Sequence, residues 1–228
     1  MPAESVGLTQ FGKWGCFVKI KNREAGFVIN DLIMTIQQNK DYLSEIDGKI
    51  GDGDHGINMN KGFTMCQEKL KGKTYSLSEG FKILSETLMD DIGGSMGPLY
   101  GVFFEEASIT LDKDDIDSES FEKMLNDSID AVLSIWNAKV GDKTILDTLI
   151  PAHEGFKNSL KKGDDFYTSL EVLKDEAYSG WKSTENMTAK IGRASRLGER
   201  SKGVLDAGAT SCYFILNSMA KSIQKILV

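Results

Sequence analysis

Cysteine is scarce in this 228-residue chain, and its pattern excludes a disulfide-built domain. The three cysteines, Cys16, Cys66 and Cys212, have no CxxC spacing, and an odd number fits poorly with a secreted disulfide framework. The first twenty residues contain no apolar run long enough for a signal peptide or a membrane span. We therefore expect a soluble, cytoplasmic protein with reduced thiols and no membrane association.

Basic residues are also fewer than acidic ones. The chain has 27 lysines and arginines against 34 aspartates and glutamates, which gives a net charge of -7. A surface of this sign repels phosphate backbones and anionic lipids, so nucleic acid is a poor candidate for a direct partner. An anionic ligand would have to be held locally, by a few placed cations or by metal ions.

Proline occurs three times and alternating strand patterns are rare, whereas apolar residues recur at three- and four-residue spacing. The spacing predicts eight helices, at about residues 24–45, 57–71, 78–92, 97–112, 118–138, 143–161, 166–190 and 206–226. Short loops predict an all-α, antiparallel eight-helix barrel or bundle with its ligand site at one end, in the inter-helix loops.

The domain organisation that we predict is an N-terminal appendage, residues 1–23, followed by one helical domain, residues 24–228. The acidic residues 112–117 are interpreted as a solvated loop between helices. Ser118 to Ser120 are candidate caps for the fifth helix, and Asp206 is the natural cap of the last helix.

Acidic residues and glycines are concentrated at 46–56, Ile-Asp-Gly-Lys-Ile-Gly-Asp-Gly-Asp-His-Gly. Asp47, Asp52 and Asp54 lie within eight residues, and the interleaved glycines allow the tight backbone angles that would turn them inward. Three converging carboxylates need a cation, and oxygen ligands with open coordination positions suit magnesium. An EF-hand register fails, because it puts Ile57 at the glycine position and Phe63 at the glutamate position. The alternative is a polar turn that caps the next helix.

Three further loops are candidate anion contacts. Residues 92–101 form a glycine-rich turn into a helix, although they match neither the Walker A nor the GxGxxG pattern. Three of the four arginines, Arg193, Arg196 and Arg200, lie in one glycine-flanked loop, where their planar forks could bind phosphate. Residues 141–144, Gly-Asp-Lys-Thr, are either a ligand contact or a helix cap. No nucleophile or general acid-base pair can be assembled, so we predict no catalytic residue on this chain.

At these motifs the sequence resembles the L-subunit family of dihydroxyacetone kinases, from about residue 31 to the C-terminus. The resemblance rests on five blocks in the family's order: Asp-x4-Asp-Gly-Asp-His-Gly at 47–56, Gly-Gly-x-x-Gly-Pro-Leu at 93–99, Gly-Asp-Lys-Thr at 141–144, Gly-Arg-Ala-Ser at 192–195 and Gly-Ala-Thr-Ser at 208–211. The family fold is an antiparallel barrel of eight helices.

The resemblance implies that ADP or ATP is bound through two magnesium ions held by Asp47, Asp52 and Asp54. It further implies a nucleotide pocket lined by His55, Gly56, Ile57, Asn58, Ser95, Met96, Ile145, Arg193, Asp206 and Ala207. The implied partners are a K subunit that carries dihydroxyacetone and a phosphohistidine-bearing M subunit that recharges bound ADP.

The sequence departs from the family pattern at Met96, Arg196 and Ala207, where a small polar residue, a tyrosine and a proline are familiar. Several alternatives therefore stay open: a related ketose such as erythrulose as the acceptor, free ATP as the donor, or a regulator that binds a transcription factor according to its nucleotide state. The oligomeric state is open as well, a homodimer included.

Overall fold

The structure, a computed structural model, describes residues 18–227, and helices dominate that part of the chain. The described residues form nine α-helices: α1 Phe27–Gln38, α2 Lys40–Ile50, α3 His55–Leu70, α4 Leu77–Asp91, α5 Met96–Thr110, α6 Ser118–Ile135, α7 Leu146–Lys162, α8 Phe166–Ser183 and α9 Ala207–Leu227. Three 3-10 segments lie at Asn22–Glu24, Thr184–Asn186 and Arg193–Ser201. The all-α prediction is confirmed.

The helices close into a ring around one apolar core. From α3 onward each helix packs against the next, and α9 packs back on α1. Phe104 of α5 is fully buried at the centre of an aromatic group, with ring centroids 5.4 Å from Phe81 and 5.2 Å from Phe103. Edge-to-face and offset contacts of this kind add to the hydrophobic burial. Adjacent helices are joined mostly by short loops, which places successive helix ends close together.

The first predicted helix, residues 24–45, is in fact two helices, α1 and α2, separated at Asn39. The backbone of Asn39 (φ -105°, ψ 8°) leaves the helical region, and its Nδ2 donates to the carbonyl oxygen of Thr35 at 2.7 Å. An asparagine side chain that bonds a backbone carbonyl competes with helix continuation. The break makes α2 a separate helix, and Asp47 lies near its C-terminal end.

Side-chain caps begin several helices. Ser76 and Glu79 form a complete capping box at the start of α4. Asp206 accepts from the backbone N–H of Ala209 at 2.7 Å, as predicted for the last helix. The cap of α6 is Asp117, which accepts from the backbone N–H of Ser120 at 2.9 Å, so the prediction of Ser118 to Ser120 was displaced by one residue.

The described part of the predicted appendage is attached to the helical domain, whereas residues 1–17 lie outside the described residues. Strand β1, Ile20–Lys21, pairs antiparallel with β2, Asp115–Ile116. Asn22 is buried and donates to Ser78 Oγ and to the carbonyl oxygen of Leu111. The acidic segment 112–117 is therefore not wholly solvated, because Ile116 is buried opposite Ile20. Within residues 18–227, no helix has both the length and the apolar character needed to cross a membrane.

Candidate functional site

A cavity of about 400 Å³ opens at one end of the helical ring. The starts of four helices meet at its wall: Asp54 and His55 at α3, Ser95 and Met96 at α5, Ile145 before α7, and Asp206 and Ala207 at α9. Free N–H groups and the helix dipole make each N-terminus favourable for negative charge. The cavity is therefore suited to an anionic ligand in a chain whose net charge is negative.

Two of these helix starts, those of α3 and α5, leave backbone donors without a side-chain cap. No side-chain hydrogen bond caps α3 or α5, although Asp54 and Ser95 stand at their cap positions. At α7, by contrast, the N–H of Leu146 donates to the hydroxyl of Thr144 at 3.2 Å and the N–H of Asp147 to its carbonyl oxygen at 3.1 Å. The first N–H groups of a helix have no partner within the helix. Those of α3 and α5 can therefore bind a ligand, apart from the N–H of His55, which donates to Asp47 Oδ2 at 3.3 Å.

The three aspartates singled out in the sequence converge at this cavity. One carboxylate oxygen each from Asp47, Asp52 and Asp54 lies within 4.8 Å of the others. A Cβ at Gly51 would overlap with Asp47 Oδ1, so a larger residue there would displace the Asp47 carboxylate. The side chains of Asp52 and Asp54 are 46% and 49% exposed, so they keep open coordination positions for a hydrated cation.

Arg193 places a positive charge beside the aspartates. Its Nη1 forms an ion pair with Asp52 and lies 3.9 Å from Asp54 Oδ2. The arginine side chain is 58% exposed and lies at the cavity wall. The guanidinium partly compensates the carboxylates and is within reach of an anion bound in the same cavity. Arg196 and Arg200, by contrast, are exposed and do not line the cavity.

A hydrogen-bonded chain runs from the cavity into the core. His55 Nε2 lies 2.9 Å from Ser211 Oγ, and that oxygen lies 2.7 Å from the hydroxyl of Tyr100. Burial lowers the pKa of His55 to about 4, and the nearby charge of Asp47 only partly opposes the shift. His55 is therefore neutral at pH 7 and acts as a hydrogen-bonding group at the start of α3.

Asp206 combines a helix cap with a carboxyl whose charged form is disfavoured by its surroundings. Burial raises the pKa of its carboxyl to about 7; the hydrogen bond from Ala209 lowers it, and Asp147 raises it further. A carboxyl with a pKa near neutrality inside a cavity marks a polar position that a ligand can exploit.

Eleven of the thirteen residues predicted for the site line the cavity. They are Asp47, Asp52, Asp54, His55, Asn58, Ser95, Met96, Ile145, Arg193, Asp206 and Ala207. Gly56 and Ile57 do not line it. Gly56 is buried on the other side, where a Cβ would overlap with the carbonyl oxygen of Lys40 on α2. Ile57 is 54% exposed, because the first turn of α3 directs it away from the cavity.

The sequence interpretation missed an apolar side of the cavity, formed by Ile50, Leu99, Tyr100, Trp136 and Ile191. These residues come from α2, α5, the end of α6 and the loop that precedes Arg193. Leu99 and Tyr100 directly follow the glycine-rich turn at 92–98, and that proximity was the available signal. Trp136 carried no local signal. An apolar wall facing several polar groups is typical of small-molecule sites.

Most of the helical domain matches a known protein family. Residues 49–221 match the model described as the DAK2 domain. The match covers most of the helical domain and includes Asp52, Asp54 and Arg193.

Two curated proteins are similar over most of their length. One is the PEP-dependent dihydroxyacetone kinase, ADP-binding subunit DhaL, of Escherichia coli (strain K12), which is 39% identical over 188 residues, 81% of this chain and 89% of the relative. The other is the PEP-dependent dihydroxyacetone kinase 2, ADP-binding subunit DhaL, of Listeria innocua, which is 33% identical over 204 residues, 88% of this chain and 94% of the relative.

A solved structure shares the fold. The dihydroxyacetone kinase of C. freundii superimposes in its native form with a TM-score of 0.69 at 22% identity, covering 97% of this chain. Its complex with AMP-PNP and Mg²⁺ gives a TM-score of 0.65 at 21% identity. This chain spans 38% of that kinase's length, and at such identity the likeness concerns the fold alone.

Proposed function

The chain belongs to the DAK2 domain family, and from this membership we propose that it is the nucleotide-binding subunit of a dihydroxyacetone kinase. In the proposal it holds ADP or ATP with two magnesium ions. The phosphoryl group passes to dihydroxyacetone bound on a separate K subunit. A phosphohistidine-bearing M subunit then recharges the ADP in place. The cytoplasm is the proposed location, since cysteines without disulfide spacing fit a reducing compartment.

One observation carries the proposal: three carboxylates converge at the mouth of a cavity whose wall includes four helix N-termini. A nucleotide diphosphate needs donors for its phosphate oxygens and cations for its charge. The uncapped starts of α3 and α5 supply donors, and Arg193 supplies one cation. The apolar side that includes Leu99 and Trp136 offers a surface for the base.

The residues fit a magnesium site. The donor set is three carboxylates with no sulfur or nitrogen ligand among them, a chemistry suited to hard cations. Asp54 is not used as a side-chain cap of α3, so its carboxylate can bind a cation, and its only positively charged neighbour within 4 Å among the described residues is Arg193, 3.9 Å from Oδ2. Bound magnesium would supply charge neutralisation for the phosphates during phosphoryl transfer.

The chain's own residues contribute positioning and electrostatic stabilisation, the two effects on which phosphoryl transfer chiefly depends. Arg193 can exchange its partner Asp52 for a phosphate oxygen while it stays at the cavity wall. Neutral His55, fixed by Ser211, keeps the first turn of α3 aimed at the ligand. The proposal needs no covalent nucleophile on this chain, so no residue of it becomes phosphorylated.

The test is native mass spectrometry of the freshly purified protein and of two variants. We expect the wild type to carry ADP and two metal ions per chain, and Asp52→Asn to lose both, with nucleotide affinity reduced more than about a hundredfold. The same spectra report whether the protein is a monomer or a homodimer. The control is Asp112→Asn, an exposed aspartate in the turn between α5 and β2. Nucleotide retained by Asp52→Asn at the wild-type level would overturn the assignment.

Turnover measurements decide donor and acceptor. With a K subunit present, transfer from the phosphohistidine protein without free ATP supports the proposed donor. A requirement for excess ATP would instead identify free ATP as the donor. Comparing dihydroxyacetone with erythrulose tests the acceptor. If neither sugar is phosphorylated although nucleotide is bound, the protein is a nucleotide-dependent regulator instead.

A further inference from the structure

Lys143 is an unusual residue in the turn that precedes α7. Its side chain is fully enclosed, with only 2% of the residue exposed. Its backbone φ is +65°, the left-handed region that residues other than glycine seldom adopt. Burying an ammonium and straining the backbone are both costly, so the surrounding structure must compensate for them.

The compensation comes from three backbone carbonyls. Lys143 Nζ donates to the oxygens of Met187 at 3.2 Å, Ser201 at 2.5 Å and Val204 at 2.6 Å. An ammonium has three N–H donors, and here all three have partners. Burial lowers the pKa of Lys143, opposed by the negative charges of Asp206 and Glu185.

The turn that carries Lys143 is itself fixed. The buried carboxylate of Asp147 accepts from the backbone N–H groups of Gly141 and Thr144, on either side of the lysine. Asp142 accepts from the N–H of Lys139 through its side chain. Lys143 therefore extends its amine from a rigid base at the start of α7.

The three acceptors bracket the loop that carries Arg193. Met187 precedes the arginine, whereas Ser201 and Val204 follow it. The segment between them is largely a 3-10 helix, Arg193–Ser201, with a kink at Gly198. Many of its residues are exposed, and 3-10 segments are held less firmly than α-helices. The lysine amine thus ties both ends of this loop to the turn before α7.

We propose that Lys143 is a positioning residue that holds the loop 188–203 against the helical ring, so that Arg193 faces Asp52 and the cavity. Lys143 also borders the cavity, but its three donors are already engaged by the loop carbonyls. Its role is therefore to act through Arg193. The effect on the loop follows from the structure, whereas the effect on nucleotide rests on the proposed function.

The first test is hydrogen exchange of the nucleotide-free protein. In Lys143→Met, which keeps an unbranched side chain as far as Cε and removes the amine, amides of 188–203 should lose protection while those of α4 and α5 keep it. Lys143→Gly serves as a second variant if the first does not fold, because glycine relieves the positive φ and also lacks the amine. The matched control is Lys190→Met on the same loop: the ammonium of Lys190 lies 3.5 Å from Asp142 Oδ1, and its side chain is 59% exposed. Unchanged protection of 188–203 in a folded variant would overturn the proposal.

The second test is a double-mutant cycle on affinity for ADP with magnesium. Lys143→Met should weaken binding about tenfold to a hundredfold in the wild-type background, as the loss of supporting contacts does at other sites. In an Arg193→Ala background the same change should alter binding less than about twofold, because the residue it positions is already absent. Additive losses would overturn the proposal, since a merely structural lysine affects both backgrounds equally.

The two tests separate the two claims. If the wild type binds no nucleotide, the proposed function fails, and the exchange experiment still decides the role of Lys143. If the wild type binds nucleotide and Lys143→Met leaves both exchange and affinity unchanged, the positioning role fails and the proposed function stands.

Discussion

Gly56 sets how closely the start of α3 can approach α2. A Cβ at this position would overlap with the carbonyl oxygen of Lys40 and would lie 2.7 Å from the backbone N of Ser44. Both are backbone atoms of a helix, so they cannot move aside as a flexible side chain can. The position of Asp54 and His55 over the cavity depends on this contact, although Gly56 does not itself face the ligand.

We predict that Gly56→Ala destabilises the protein by about 1–3 kcal/mol, the usual cost of overpacking. Denaturant unfolding measures the change. The control is Gly48→Ala on the neighbouring helix, where the added Cβ meets its nearest atom at 3.8 Å. That substitution should be neutral or stabilising by up to about 1 kcal/mol, since alanine favours helix over glycine. Equal stability of the two variants would contradict the packing role of Gly56.

The charged side of the candidate site can be predicted from the sequence, but its apolar side cannot. Asp47, Asp52 and Asp54 are close in the chain, so local spacing alone predicts their convergence. Trp136 and Ile191 are distant in sequence from the aspartates and from each other, and no local pattern distinguishes them from ordinary apolar residues. Only the closure of the ring brings them to the cavity.

At the scale of elements, helix ends determine where the chemistry is placed. Four helix N-termini, those of α3, α5, α7 and α9, share one end of the ring. Helix spacing predicted most of these elements, because apolar periodicity is a strong signal over three or more turns. It could not predict the break at Asn39, where apolar positions continue through both helices. Nor could it predict β1 and β2, which are two residues long and far apart in the chain.

The contribution of a single helix cap to stability can be measured at the start of α6. Asp117 Oδ1 accepts from the backbone N–H of Ser120 at 2.9 Å and from its hydroxyl at 2.7 Å. Burial raises the pKa of Asp117, but the bonds from Ser120 together with the charge of Lys19 outweigh it, and the pKa is lowered overall. We predict that Asp117→Ala reduces the free energy of unfolding by about 1 kcal/mol, because the N–H loses its acceptor.

The control for that prediction is Ser118→Ala, which removes the residue that the sequence pattern favoured as a cap. Its stability should stay within about 0.5 kcal/mol of the wild type, the range of ordinary surface substitutions. A larger loss of stability in Ser118→Ala than in Asp117→Ala would show that Ser118, and not Asp117, caps α6.

At the scale of the whole molecule, the ring concentrates favourable electrostatics for an anion in one place. The net charge of -7 opposes a nucleotide at long range, whereas helix N-termini and Arg193 favour one inside the cavity. The family resemblance seen in the five sequence blocks is confirmed by the DAK2 domain match. Those blocks fall in loops and helix starts at one end of the ring, which explains how residues so spread along the sequence can share a site.

This balance of charges predicts that ADP stabilises the folded protein only in combination with magnesium. A ligand that binds only the folded state stabilises it by about 2.7 kcal/mol at a hundred times its dissociation constant, which for a chain of this size raises Tm by roughly 5–10 °C. Thermal unfolding should show that rise with magnesium and ADP combined. With a chelator the rise should largely disappear, because the diphosphate would then meet three uncompensated carboxylates. Asp52→Asn should behave like the chelated protein. A full rise of Tm with ADP in the absence of any divalent cation would contradict the proposed metal site.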